Sequence, residues 1–502
     1  MSVTGERRRK GAMHDLVITG GRVIDPETQF DAVCNVGIDG DEITLLSAAP
    51  VDGVSVIDAA GSVVAPGFID LHSHGQDIGE LRLQALDGVT TALELEAGAG
   101  PVNLAYRRSQ SEGRPINFGF SASWAAVRQH VMDGSPFDAM NVDKIGERFN
   151  DPGWLSVGTA KDADTIVGML RAELEAGALG IGILLGYSPK SSPDEFVEIA
   201  KLAAEAGAPT FTHARPLVEQ DPRVAVDGAW EIYHAAAMTG AHMHFCHINS
   251  TSNRYLDRAF GVVAKAQLEG STVTAEAYPY GAGWSFIGGD YYQPSRLHVL
   301  GFEVTDLIYA RTGEAIQTVD ELVALRAADP GAPVYAKFYD EESNQYRLAR
   351  NMALPGACIA SDAIPFTSID RAPFDQRDWP IPPHVRAHPR NAGTYSRTLR
   401  IGVRETGMIP LPEALAKCSL YPARILEGVA PAMKRKGRLQ VGCDADIVVF
   451  DPQLVSDTAT LKRPLATSIG FRHVLVGGQS IVRDSEIVLD ALPGRAIRGE
   501  PT

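Results

Sequence analysis

Between Asp162 and Tyr278 the chain repeats one alternation four times. An amphipathic helical stretch over 162–176 leads into the apolar run Ala178–Leu185. Ser192–Ala206 leads into Pro209–His213, Ala225–Gly240 into His242–His247, and Tyr255–Gly270 into Thr272–Tyr278. Strands that alternate with helices lie parallel, because a parallel neighbour can be reached only through a crossover. The pattern extends to both sides. Gly67–Asp70 is followed by a helical stretch at Leu81–Gly88 and the run Val89–Glu96, and Ala357–Asp362 closes the series. This number of repeats favours an α/β fold of the (β/α)8 TIM-like barrel type over an open doubly wound sheet.

A chain of 502 residues has room for such a barrel and an appendage. The two ends read differently from the middle. Asp15–Thr19, Gly21–Asp25, Val33–Asp39, Gly437–Asp451 and Phe471–Val482 are short strand-like runs separated by Gly, Asp and Pro turns. Short strands are marginal alone, so the ends are expected to pair into one small β-sandwich domain, residues 13–66 plus 426–502. The barrel then spans 67–425. Residues 283–350 break the alternation with aromatics, Gly288-Gly289-Asp290 and a charged stretch, and are expected to form an insertion over the active-site mouth. Residues 1–12 carry basic residues at 7–10 with no apolar stretch behind them, which reads as a disordered leader rather than a signal peptide.

The net charge of −16 argues against nucleic acid or an anionic membrane surface as a partner. Five scattered cysteines, with no paired spacing, fit a reducing cytoplasm. No apolar run is long enough to span a bilayer.

Polar residues recur at the C-terminal ends of the expected strands, the end where barrel enzymes carry their active sites. His72 and His74 end the first, Glu96 the second, and His213, His247 and Asp362 later ones. Residues i and i+2 of a strand share a face, so both imidazoles of His72-Ser73-His74 can aim at one point. Histidines converging with carboxylates suit Zn²⁺ or a similar divalent ion.

The segments Ala65-Pro-Gly-Phe-Ile-Asp-Leu-His-Ser-His74, Gly88-Val-Thr-Thr91, Thr212-His-Ala-Arg215, Ser361-Asp362 and Gly442-Cys-Asp-Ala-Asp-Ile-Val448 resemble the amidohydrolase superfamily. More closely, Gly177-Ala-Leu-Gly180 with Tyr187, Ala277-Tyr-Pro-Tyr280 and His388-Pro-Arg-Asn-Ala-Gly-Thr394 resemble the N-acyl-D-amino-acid deacylases, or D-aminoacylases. The resemblance runs from about His14 to Val482. It implies one or two Zn²⁺ ions held by His213, His247 and a strand-two residue, with His72, His74 and Asp362 completing the site. It also implies Arg390 on the substrate carboxylate, a tyrosine of Tyr278-Pro-Tyr280 on the scissile carbonyl, with Tyr280 favoured, and Tyr187 and Asn249 at the substrate.

The chain departs from that pattern twice. Where those enzymes carry a strand-two cysteine, this one has Ala97 flanked by Glu96. Glu94 shares the strand face with Glu96, and Glu96, nearer the C-terminal end, is the favoured replacement. Asn249 stands where the family often has a lysine. The Ala178–Leu185 run holds no Lys, so the carboxylated-lysine bridge of hydantoinases and dihydroorotases has no candidate.

The expected chemistry is hydrolysis of a C–N amide bond in a small molecule, with Asp362 as general base and acid. The enzyme is expected alone or as a homo-oligomer. Hydrolysis of a cyclic amide or imide is the first alternative, kept open by Asn249 and by Glu in place of Cys. A non-catalytic metal-binding scaffold is the second. Cys246 and the pair His242 and His244 are read as buried or surface residues without a role.

Overall fold

The computed structural model describes residues 13–138 and 142–500, the side chain of Asp290 aside; the leader expected at 1–12 lies outside the described residues. Eight parallel strands form one sheet in chain order: β1 (Phe68–Asp70), β2 (Val89–Ala99), β3 (Asn117–Ser123), β4 (Ile181–Ile183), β5 (Thr210–Thr212), β6 (Met243–Phe245), β7 (Val273–Ala277) and β8 (Cys358–Ile359). The ring closes just beyond the last strand. Ser73 bridges Ala363 in parallel, His74 N–H donates to the Ala363 carbonyl at 2.7 Å, and Ser361 N–H donates to Asp70 Oδ1 at 3.0 Å. These strands are short because only their central residues line the barrel, and nearly all of those are buried, as expected when helices cover a parallel sheet.

The sequence alternation maps onto helices Ile78–Ala85, Ala160–Glu175, Pro193–Glu205, Gly228–Thr239 and Leu256–Leu268 between these strands. Helix starts follow the capping residues. Thr159 accepts from Asp162 N–H and Asp162 reaches back in a capping box, while Ser192 precedes Pro193 at the first helical position. Over 100–161 the sequence shows no clear alternation. That region supplies β3 and helices Val102–Glu112 and Trp124–Asp133.

Strands from both chain ends form one nine-stranded sheet, including His14–Asp25, Phe30–Asp39, Val63–Pro66, Ile447–Phe450 and Phe471–Val476. His14–Asp25 bends in the middle. Its first half pairs with Gly53–Asp58 and its second with Val63–Pro66, with the register breaking between Ile18 and Gly21. Gly20 has φ of +67°, and a Cβ on Gly21 would fall 2.4 Å from Val64, so the corner requires both glycines. The bend folds the sheet around its own core of Ile18, Val36, Ile43, Val64, Ile447 and Leu475. The other face packs Val63, Val448, Phe450 and Phe471 against Phe68 and Tyr395 of the barrel.

After β7 the chain leaves the barrel. Ala282–Phe286, Leu307–Tyr309, Glu314–Ala315 and Pro333–Lys337 make a four-stranded antiparallel sheet with its own core around Ile287, Leu307, Val334 and Ala336. Helix Gln345–Met352 then returns to pack with Leu399 and Ile409. Among the described residues, no helix is long and apolar enough to cross a membrane.

Candidate metal centre

Glu96 is the hub of the C-terminal end of the barrel. Its Oε1 lies 2.7 Å from His247 Nε2 and 3.1 Å from His213 Nδ1. Its Oε2 lies 3.3 Å from His72 Nε2 and 3.7 Å from His74 Nε2. One carboxylate thus faces two pairs of imidazoles. Asp362 Oδ1 is 3.5 Å from Nε2 of both His72 and His74. The six residues form overlapping groups of converging ligand atoms, among them His72–His74–Glu96, His72–His247–Asp362 and Glu96–His213–His247.

The second nitrogens of the His-x-His pair are held by other carboxylates. His72 Nδ1 is 2.5 Å from Glu276 Oε1, and His74 Nδ1 is 2.8 Å from Glu94 Oε2. A neutral imidazole that donates from Nδ1 has a lone pair on Nε2. The two Nε2 atoms face each other at 3.1 Å, where two lone pairs repel unless a cation sits between them. Ligand atoms each about 2.0–2.1 Å from a tetrahedral zinc stand about 3.3 Å apart, close to these separations. The donor set therefore fits a divalent ion.

The electrostatics point the same way. Burial opposes a charge on His72, but Glu96, Glu276 and Asp362 overcome it and hold its pKa well above the usual imidazole value. Burial likewise opposes a charge on Glu276, yet His72 and His244 bring its carboxyl down to about 2. The cluster is a concentration of buried carboxylates that favours cations.

Local backbone explains the placement. β2 is irregular against β3 between Glu94 and Ala99, and Gly98 has φ of +68° with no room for a Cβ beside Ser121. Glu94 Oε1 accepts from Ala97 N–H at 3.2 Å and Gly98 N–H at 3.3 Å, so the turned strand end fixes its own carboxylate. On β4, a Cβ at Gly182 would fall 2.3 Å from the Glu96 carbonyl oxygen, so only glycine fits beside the strand end that carries Glu96. His247 and Asp362 adopt left-handed φ of +30° and +53°, strained for residues with a Cβ and typical of functional sites.

The sequence matches the Amidohydrolase family over residues 55–482. The chain belongs to that family. Over 513 residues it is 29% identical to an N-acyl-D-glutamate deacylase of Alcaligenes xylosoxydans xylosoxydans, covering 96% of each chain. It is 25% identical to a D-aminoacylase of the same organism, covering 93% of this chain and 94% of the relative. In fold it is similar to the N-acyl-D-glutamate deacylase of Bordetella bronchiseptica complexed with zinc and a phosphonate inhibitor, with TM-score 0.75, 24% identity and coverage of 97% and 100%. A D-hydantoinase from Thermus sp. is further away, with TM-score 0.60, 17% identity and coverage of 97% and 99%.

This amidohydrolase opens its metal-type cluster into a cavity lined by Tyr187, Tyr278, Trp284, Phe286, Asp362 and Arg390 among others. Arg390 begins helix Arg390–Arg397, with Nη2 2.9 Å from Asp362 Oδ1 and its guanidinium 5.0 Å from the Tyr278 ring centroid. Its Nε and Nη1 are buried with no hydrogen-bond partner among the described residues. Tyr187 stacks on Phe149 at 4.7 Å and flanks His213 at 4.6 Å.

Two residues expected at the substrate, Tyr280 and Asn249, are not among the residues lining this cavity. Tyr280 points away from the cavity: its hydroxyl donates to the Pro389 carbonyl at 3.2 Å and its ring carries Arg397 at 4.4 Å. Tyr278 lines the cavity instead. Asn249 does not line it either, because its amide donates to the Tyr278 carbonyl at 3.0 Å and accepts from Tyr278 N–H at 3.2 Å. It sets the β7 end in place.

Three site residues went unassigned in the sequence. Glu276 joins His72 to His244, whose Nε2 lies 3.0 Å from Glu276 Oε2. His244 is thus a buried partner, not a bystander, and Cys246 turns toward His72 rather than solely into the core. The signal for Glu276 was its spacing two residues before Tyr278 on a strand end, the rule that found Glu96.

Proposed function

We propose that this amidohydrolase hydrolyses N-acyl-D-amino acids to a carboxylate and a free D-amino acid, with one or two zinc ions held by His72, His74, Glu96, His213, His247 and Asp362. The observation that carries the reading is Glu96 shared between two imidazole pairs, with Asp362 and a partly unsatisfied Arg390 facing the same cavity. The deacylase relatives at nearly full coverage support the substrate class, and the zinc complex of the Bordetella enzyme supports the metal.

Bound zinc supplies Lewis acidity, which polarises a carbonyl and makes a water acidic enough to attack at neutral pH. The protein's own groups do the rest. Arg390 has Nε and Nη1 free of protein partners beside the cavity, so the guanidinium can hydrogen-bond a substrate carboxylate. The Tyr278 hydroxyl donates to the carbonyl oxygen as charge gathers there. Asp362 takes the proton of the attacking water on its carboxylate and passes it to the amine nitrogen as the C–N bond breaks. Burial opposes ionisation of Asp362, but Arg390 and His72 keep its carboxyl below the usual range, so it is the base form at neutral pH.

Cyclic amides are less well supported, since the β4 run Ala178–Leu185 holds no lysine to bridge two metals. A scaffold role has no use for Asp362 and an unsatisfied guanidinium in an open cavity. Five free, buried cysteines support a reducing compartment, the cytoplasm. The test is a screen of zinc-loaded protein with N-acetyl and N-formyl D- and L-amino acids against cyclic imides. Release of free D-amino acid is expected; ring opening with no deacylation would overturn the reading.

A further inference from the structure

Resting on the deacylase reading, the cavity wall narrows the substrate. The wall beside His213 is aromatic. Phe149 stacks on Tyr187, Phe286 meets Phe149 edge-on at 6.4 Å, and Trp284, Tyr292 and Phe338 continue the surface. The insertion after β7 supplies Trp284, Phe286 and Tyr292. Such a wall gains by covering apolar surface and offers little to a charge.

Cations are scarce here. Among the described lining residues, Arg390 is the only Lys or Arg, and it already faces Asp362. One substrate carboxylate can take an open nitrogen of that guanidinium. A second carboxylate would find no second Lys or Arg in the described lining. It would instead meet Asp143, which the short helix Val142–Gly146 adds to the wall. A buried carboxylate without a partner, near another carboxylate, is strongly disfavoured.

We propose that this cavity selects N-acyl-D-amino acids carrying a single carboxylate and an apolar side chain, and rejects N-acyl-D-glutamate and N-acyl-D-aspartate through Asp143 and the lack of a second cation. The relative of 29% identity is named for D-glutamate, so the proposal separates this chain from it in specificity.

The experiment uses full-length zinc-loaded enzyme at pH 8. kcat/KM is measured for the N-acetyl derivatives of D-leucine, D-phenylalanine, D-glutamate and D-aspartate. The apolar pair is expected to exceed the acidic pair by at least about 100-fold, the scale of leaving one charge unpaired at a binding site. In Asp143→Asn and Asp143→Lys the D-leucine to D-glutamate ratio should fall, by about tenfold or more in the lysine variant. Equal or preferred turnover of D-glutamate overturns the proposal and leaves the deacylase reading standing. Turnover of none of the four overturns that reading and the proposal with it. A ratio unmoved in both Asp143 variants, with metal content intact, overturns the part given to Asp143.

Discussion

The guanidinium of Arg390 meets the carboxylate of Asp362 at 2.9 Å, inside the cavity and beside the histidine cluster. The pair keeps the base ionised and holds it still, and leaves two guanidinium nitrogens for a substrate. Asp362→Asn keeps the shape and removes the proton acceptor. Zinc content should stay near that of the parent, because Glu96 and four histidines remain, while kcat falls by about 10²–10⁴. Metal analysis and steady-state kinetics on the same preparation check this, and a variant with parental kcat removes Asp362 as base.

Glu96 and Glu94 lie two residues apart on β2 and do different work. Glu96 touches the ligand atoms of His72, His213 and His247, whereas the one site imidazole that Glu94 touches is His74, at its far nitrogen. Glu96→Ala should lose most of its metal on dialysis against a weak chelator. Glu94→Ala should lose affinity by about 10-fold, the lower end for a residue that orients a ligand. Zinc titration of the stripped proteins decides the order; a greater loss in Glu94→Ala would move the ligand.

Tyr278 and Tyr280 can be told apart by removing one oxygen each. Tyr278→Phe takes a donor from the cavity, and kcat should fall by about 10²–10³. Tyr280→Phe takes a hydrogen bond from the Pro389 carbonyl, and should cost about 1 kcal/mol of stability with kcat within about threefold of the parent. Kinetics and thermal melts of both variants give the comparison.

Glu276 acts on the metal through His72. Glu276→Gln leaves a side chain of the same size that can no longer take the Nδ1 proton as a charged acceptor, and its amide also faces His244. Zinc affinity should drop by about 10–100-fold. Saturating zinc should then restore much of the activity, which a catalytic residue would not allow.

The barrel was legible where helices and strands alternate cleanly, from Asp162 to Tyr278. It was not legible at β3, where Asn117-Phe-Gly-Phe-Ser-Ala-Ser123 carries no β-branched residue, and tertiary burial rather than local preference makes it a strand. The site residues at strand ends were legible because a single rule, polar residues at the C-terminal ends of parallel strands, finds them. Which of two neighbouring tyrosines enters the cavity was not. Tyr278 and Tyr280 lie just past β7, where the chain turns out of the barrel and the alternation of a strand no longer fixes direction. The placement of Asn249 is not legible for a similar reason, as its hydrogen bonds run to backbone atoms that have no sequence signature.

The strand Val63–Pro66 leads within a few residues to His72, and it lies between His14–Asp25 and Ile447–Phe450, with Val64 opposite Val449 and Ala65 opposite Val448. A chain leaving the ribosome exposes Val63–Pro66 long before Ile447–Phe450 is made. Its edge away from His14–Asp25 stays open until translation is almost finished. A message truncated between Asp362 and Ile447 therefore yields a chain that has all six site residues but leaves one edge of the strand leading to His72 unpaired.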